Sequence, residues 1–514
     1  MTGAMADADI GPCNDAPESA AFRRLQARLR GLYENVFPDP SLPRTVLIVP
    51  SLTLDSDVLA RVAGVPHYEE RMLCLLLLLR MPRTRVVYVT SAPIDEATVD
   101  YYLHLLEGVP HRHARNRLIL LNCHDSSDLP LSTKILDRPR LLKRIDDALG
   151  DKALAHMVCY TVTTVERRLA LELGIPIYGC DPDLLPLGSK SGGRKLFREA
   201  GVTVPDGFED LASEDEIADA LAELKARHPR MRRAVVKLNE AFSGEGNAIF
   251  SFDDAPKGAA LVAWVRENLP GLAFDSHDMD WDSYRAKFAE MGGIVEAFVE
   301  GADKCSPSAQ FRIDPAGGVE AVSTHDQVLG GKTGQEFLGA RFPARADYRL
   351  EIQAEALKAA NALAERGVLG RFGIDFISVR EGDGWKHLAI EINLRKGGTT
   401  HPFIMLQYLT DGAYDPETGL FNTPEGPPRY YYATDNLESE RYRGLLPEDL
   451  IDIAVRNGIH FHGATQTGVV FHLIGALSEF GKLGAVCVGK SPEDAEQLYR
   501  AMVAILDREC AAPG

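Results

Sequence analysis

Residues 371–379 read RFGIDFISV and residues 387–398 read HLAIEINLRKGG, two strand-like runs joined by the turn EGDGWK at 381–386. Side chains alternate along a strand, so Glu391 and Asn393 share one face, and hairpin pairing brings Asp375 beside them. Ile374, Phe376, Ile390, Ile392 and Leu394 make these strands too apolar to lie wholly at a surface. Three oxygen-bearing side chains in such a setting are costly unless a cation neutralises them, and hard oxygen donors suit Mg²⁺. The plainer alternative is a solvated strand face.

Upstream, Lys237 ends the apolar run AVVK and precedes Ser243-Gly244-Glu245-Gly246-Asn247, a glycine turn entering the strand AIFSF. Glycines let backbone N–H groups turn toward phosphate oxygens beside a fixed lysine charge, although a hairpin turn is equally common. Lys190 precedes the helical pattern GGRKLFREAGV; by itself it reads as a surface lysine flanking a helix. In GIVEAFVEG, alternation sets Glu296 and Phe298 on one face ahead of Val299, where a carboxylate or a backbone carbonyl can accept from an adenine amino group; a half-exposed edge strand fits as well. Arg395 shares the face of Asn393 and is a candidate to stabilise transferred phosphate. Arg371 is a second, with a surface charge as its plain alternative. His401, in GGTTHPF, is a candidate to orient an acid or take an amine proton, and a structural histidine fits equally.

The order Lys190, Lys237 with its glycine turn, Glu296 to Val299, then Asp375, Glu391 and Asn393 resembles the ATP-grasp superfamily. SKSGGRKLFREAGVTVP and the closing ExNxR carry the likeness most specifically, over about 188–411. The resemblance implies that Lys190 and Lys237 contact nucleotide phosphates and that Ser243, Gly244, Gly246 and Asn247 cover them. It also implies that Glu296, Phe298 and Val299 hold adenine and that Asp375, Glu391 and Asn393 bind two Mg²⁺ ions, with Mn²⁺ an alternative. The strings VVKLNEAFSGEGNAIF, STHDQVLGG and EINLRKGGTTHPF, with the tail TGVVFHLIGALSEFGKLGAVCVG, are similar to the ATP-grasp peptide ligases of the pheganomycin type. Those enzymes imply ligation of a small-molecule carboxylate to the amine of an amino acid or peptide, by way of an acyl phosphate and with ADP and phosphate released. The alternatives are a regulatory or scaffold protein on the same fold, or a ligase or carboxylase using a non-peptide acceptor.

The rest of the chain fits a multidomain α/β and α+β protein. Residues 1–40 read as a loosely ordered arm. From 41 to 187, runs such as TVLIVPS, RVVYVTS, LILLNC, HMVCYTV and IPIYGCD alternate with amphipathic helices, the signature of a parallel, Rossmann-like sheet. No GxGxxG closes its first strand, so a dinucleotide is not expected there; the resemblance makes it a pre-ATP-grasp domain. Residues 188–425 follow an α+β pattern, the two-subdomain grasp, and a Pro-, Gly- and Tyr-rich stretch at 415–432 reads as a linker to a small α/β piece at 426–514. His325 to Gly334 is expected as a loop, part of a cover or of the acceptor pocket.

Across 514 residues, 56 Lys plus Arg face 74 Asp plus Glu, a net charge of −18 that repels a polyanion. Nucleic acid is therefore not an expected partner. Eight cysteines without a CxxC pair exclude a zinc knot or disulfide framework. The longest apolar run, Met72 to Leu79, is too short to span a bilayer, and no secretory segment follows the start, so a cytoplasmic protein without membrane association is expected. A homodimer is admissible.

Overall fold

The structure, a computed structural model, describes residues 17–53, 64–240, 246–274, 279–330 and 336–510. Its first layer is a four-stranded parallel sheet in the order Leu118–Asn122, Thr84–Thr90, Arg44–Val49, Ala155–Cys159. Every residue of Arg44–Val49 is buried, as expected of a parallel strand covered on both faces. One face receives the helical segment Val65–Arg80 and the helix Glu96–His104. The Met72 to Leu79 run thus belongs to the core of this layer. The other face receives Pro139–Leu149 and Thr164–Leu173. The run IPIYGCD forms only a single bridge, Met157 to Ile177, instead of a fifth strand.

Part of the expected N-terminal arm is ordered structure. Helices Pro17–Gln26 and Arg28–Asn35 bury Phe22, Leu29 and Leu32 against this layer. Their apolar side chains supply the adhesion that the polar composition around them conceals.

A five-stranded antiparallel sheet follows, in the order Gly207–Leu211, Gly293–Ala297, Arg233–Leu238, Asn247–Ser251, Ala273–Phe274. Helices Glu214–Arg227, Leu261–Asn268 and Trp281–Met291 cover it. The third unit is a nine-stranded sheet that includes Gly370–Glu381, Pro307–Ile313, Val319–Gly330 and Glu336–Phe342, with Gly384–Asn393 paired on the first of these. Helices Lys190–Glu199 and Arg349–Glu365 share its core.

That sheet continues through the stretch expected as a linker. Tyr430–Glu438 pairs with Glu336–Phe342 on one side and Lys482–Gly489 on the other, and Gly468–His472 closes the edge. A strand edge left open needs partners for its N–H and C=O groups, and the Tyr-rich run supplies them. Gly339 permits the junction: a Cβ there would lie 2.3 Å from the Ala433 carbonyl oxygen. The last helix, Pro492–Glu509, starts as its SPED opening predicts, with Ser491 Oγ accepting from Asp494 N at 3.1 Å. Among the described residues no helix is long and apolar enough to cross a membrane.

Candidate functional site

The hairpin of Gly370–Glu381 and Gly384–Asn393 does not run in simple register. Phe376 opposes Ala389, but Asp375 opposes Glu391 and Gly373 opposes Asn393, leaving Ile390 as the extra residue of a bulge. Unbulged, Asp375 would face Ile390 and Glu391 would point to the other side. The bulge therefore puts both carboxylates on one face. Ile374 and Ile392 point into the core behind them.

Asp375 accepts from Asn393 Nδ2 and from Gln327 Nε2, both at 2.9 Å. Burial, reinforced by the Glu391 charge, pushes its carboxyl up to about 7 against the opposing pull of Lys190 and Arg395. Glu391 is partly buried, its side chain 25% exposed, and against the desolvation that raises it Lys190 Nζ at 2.5 Å and then Arg395 hold it below the ordinary carboxylate range. Lys190 opens the helix Lys190–Glu199, which Ser189 caps by accepting from Gly192 N at 3.0 Å. Its backbone N donates to Asn239 O at 3.1 Å, and Ser191 N donates to Asn239 Oδ1 at 2.9 Å. Asn239 thus ties this helix to the smaller sheet.

On that sheet a second charged group forms. Lys237 Nζ lies 2.5 Å from Glu296 Oε1, and Arg194 Nη1 donates to Glu296 Oε2 at 3.0 Å. All three side chains are at most 8% exposed. Lys237 is also among the charges that Glu391 senses, so the two charged groups lie close enough to interact. Both Glu296 oxygens are engaged, which leaves the backbone beyond it as the open edge. There Phe298 is half-buried, with the Arg233 guanidinium 3.9 Å and Lys304 Nζ 4.9 Å from its ring centre, and Val299 O accepts from Lys304 at 3.4 Å. Asn247 pairs with Lys237, and Gly246 O accepts from Leu238 N at 3.0 Å. Ser243 and Gly244 lie outside the described residues.

Two expected residues lie apart from the carboxylates. Arg371 is on their face but four residues back along the strand, lining a small recess with Gln310, Ser323, Thr399 and Thr400. His401 is buried, its Nε2 2.8 Å from His472 Nε2, where one nitrogen donates and the other accepts. Close by, Arg71 and Asp435 form a buried ion pair. The segment from His325 to Gly330, expected as loop, is strand, and His325 Nε2 lies 2.6 Å from the Tyr431 hydroxyl. Residues 331–334 are outside the described residues. The reading of the sequence missed Gln327, Asn239 and the bulge; the DQ pair following the β-branched run was the available signal for Gln327.

Four buried histidines make stability pH-dependent. Burial pushes His156 down to about 4, His325 and His472 to about 3, and His401 well below its usual value. Folded values below the unfolded one mean stability is complete above about pH 6.5 and is lost as pH falls toward the folded values, at up to about 1.4 kcal/mol per pH unit for each group. Asp375 and Glu69, both pushed up to about 7 by burial first, act oppositely and offset part of this loss. The urea midpoint is expected to fall steadily from pH 7 to pH 5; a midpoint that stays level would contradict these neutral, buried rings.

Comparison with known proteins agrees with this architecture. Residues 185–268 and 266–417 match the family model "IQCH-like, ATP-grasp", and 449–502 match "PGM1 C-terminal domain". The L-propargylglycine--L-glutamate ligase of Streptantibioticus cattleyicolor is 31% identical over 470 residues, covering 90% of this chain and 94% of that protein. IQ motif-containing protein H of Danio rerio is 22% identical, over 96% of this chain but 52% of its own length. Among solved structures, the biotin carboxylase domain of the 2-oxoglutarate carboxylase of Hydrogenobacter thermophilus has a TM-score of 0.54 at 14% identity, covering 90% of this chain and 89% of that one. Biotin carboxylase of Campylobacter jejuni has 0.53 at 14%, covering 90% and 91%. These two share the fold. With the full-length likeness to the Streptantibioticus enzyme and a charged site between two α+β sheets, the chain belongs to the ATP-grasp ligases and is an ATP-dependent ligase that forms a carbon–nitrogen bond.

Proposed function

We propose that this ligase joins a small-molecule carboxylate to the amine of an amino acid or peptide through an acyl phosphate. The observation that carries the reading is the convergence of Asp375, Glu391 and Asn393 on one sheet face, with Lys190 and Arg395 beside them. ATP would lie between the two sheets, its phosphates near Lys190 and Lys237 under the turn that includes Ser243, Gly244, Gly246 and Asn247. With the Glu296 carboxylate engaged, adenine would be held by the backbone of Glu296 to Val299 and by the Phe298 ring.

The residues fit magnesium. Among the described residues no group of three His, Cys, Asp or Glu side chains is placed to hold a metal ion, and two carboxylates with an amide are a donor set for an ion that keeps water and phosphate oxygens. Such an ion, held by Asp375, Glu391 and Asn393, would neutralise charge on the β,γ oxygens. The Hydrogenobacter domain was solved with MgADP, consistent with this assignment.

The substrate carboxylate oxygen attacks the γ-phosphorus, and the bond to the bridging oxygen breaks as ADP leaves. The amine nitrogen then attacks the acyl carbon, phosphate departs, and the amine releases its proton. Arg395 would stabilise the oxygens of the transferred group, and catalysis would be mainly placement and electrostatics. Acids and amines from amino acid and peptide pools, offered with Mg-ATP, are expected to give ADP and phosphate only when both are present. Formation of AMP and pyrophosphate would refute the acyl-phosphate route, and ATP binding without turnover on any pool would favour a regulatory protein.

A further inference from the structure

Arg371 stands out among the partly buried cations of this face. Its guanidinium approaches the Phe403 ring centre to 5.9 Å, and among the described residues no carboxylate pairs with it. Among the described residues Lys396 Nζ donates only to the Cys159 carbonyl, at 2.6 Å. Burial first, and Arg371 among the neighbouring charges, pushes Lys396 down to about 8. In the recess that Arg371 lines, Ser323 is 2% exposed and its Oγ has no hydrogen-bond partner among the described residues. Gln310 opposes both Gly373 and Ser323 in the sheet, so its amide lies in the row between Arg371 and Asp375. Two partly buried positive charges with no carboxylate paired to either among the described residues, next to a buried unsatisfied hydroxyl, carry a cost in an empty protein. Such a cost is understandable where a ligand anion completes the group.

We infer that Arg371 and Lys396, with Ser323 and Gln310, bind the carboxylate of the amine substrate, so that the acceptor is an amino acid or a peptide with a free carboxyl end. The inference rests on the ligase reading above. Four residues of strand, about 13 Å, separate Arg371 from Asp375. The reacting carboxylate of the donor belongs at the phosphate end of that span, and an amino acid placed beyond it extends its own carboxylate toward Arg371. Planar, charge-assisted pairing with a guanidinium suits a carboxylate better than the neutral amide that replaces it.

The experiment offers each acceptor as the free acid and as its carboxamide, with kcat/KM measured for native protein, Arg371→Met and Lys396→Met. Native protein should prefer the acid by roughly 100-fold, and each variant should shrink that ratio to within a few-fold. General damage would lower both substrates together and leave the ratio intact. Arg371→Met removes a partly buried charge that has no carboxylate partner among the described residues, and is expected to fold; Lys396→Met carries the same expectation should it not. Equal use of acid and amide by native protein, or a preference retained in the folded variants, would overturn the inference. Hydroxylamine in place of the amine separates the two readings. Native protein that forms acyl hydroxamates but ignores the acceptor carboxylate refutes only the subsite, whereas failure to form any hydroxamate refutes the ligase reading and the subsite with it.

Discussion

An Asp375→Asn variant is expected to lose about 10³-fold in kcat while its melting temperature holds or rises. The two effects have one cause. Asp375 and Glu391 are forced opposite each other by the bulge at Ile390, in a buried setting that disfavours a second negative charge. Asparagine preserves the shape and still accepts from Gln327, but it removes the charge that a cation requires. Loss of activity without loss of stability is the pattern expected of a functional carboxylate held at a cost to the fold. Steady-state kinetics with Mg-ATP and a thermal melt without nucleotide measure both halves. Activity within tenfold of native, or a melting temperature several degrees lower, would show that Asp375 is a structural hydrogen-bond acceptor.

For Glu296→Ala the expected effect is on stability, a loss of about 3–5 kcal/mol. Glu296 is 3% exposed and serves two cations at once, Lys237 and Arg194. Its removal leaves both charges buried without a partner, which costs far more than the loss of an average contact. The pair Arg233–Glu300 provides a control on the same sheet. Its bidentate bonds of 3.0 and 2.7 Å look stronger, but its side chains are 42% and 55% exposed. Glu300→Ala is therefore expected to cost less than about 1 kcal/mol. Urea unfolding, with hydrogen exchange on Gly293–Ala297 to localise the change, distinguishes the two. Equal costs for both substitutions would mean that water or another group reaches the Lys237 and Arg194 charges.

Much of this was legible locally. Continuous β-branched and apolar runs predicted the four parallel strands, with IPIYGCD a fifth that does not form, and Arg233–Leu238, Asn247–Ser251, Gly293–Ala297 and the 370–393 hairpin follow their patterns closely. Strands Gly207–Leu211 and Glu336–Phe342 were not legible. FEDL, in an edge strand, lacks an apolar alternation, and Glu336–Phe342, held by strands on both sides, needs little signal of its own. The helix Thr400–Thr410 was hidden because nine of its eleven residues are buried, which leaves no polar face to reveal a helical period.

By itself, the sequence determined which residues could form the site and in what order along the chain, since residue type and strand alternation are local properties. Only the tertiary structure decided which of them meet. One extra residue, Ile390, turns Glu391 toward Asp375, and no composition or periodicity announces a bulge. Lys190 reaches Glu391 across 201 positions of chain, and Glu296 joins Lys237 to Arg194 across three elements. The sheet crosses residue 425 because the edge at Glu336–Phe342 is completed by Tyr430–Glu438. Each of these outcomes depends on pairing between distant segments, where burial and charge act together and a local reading has nothing to measure.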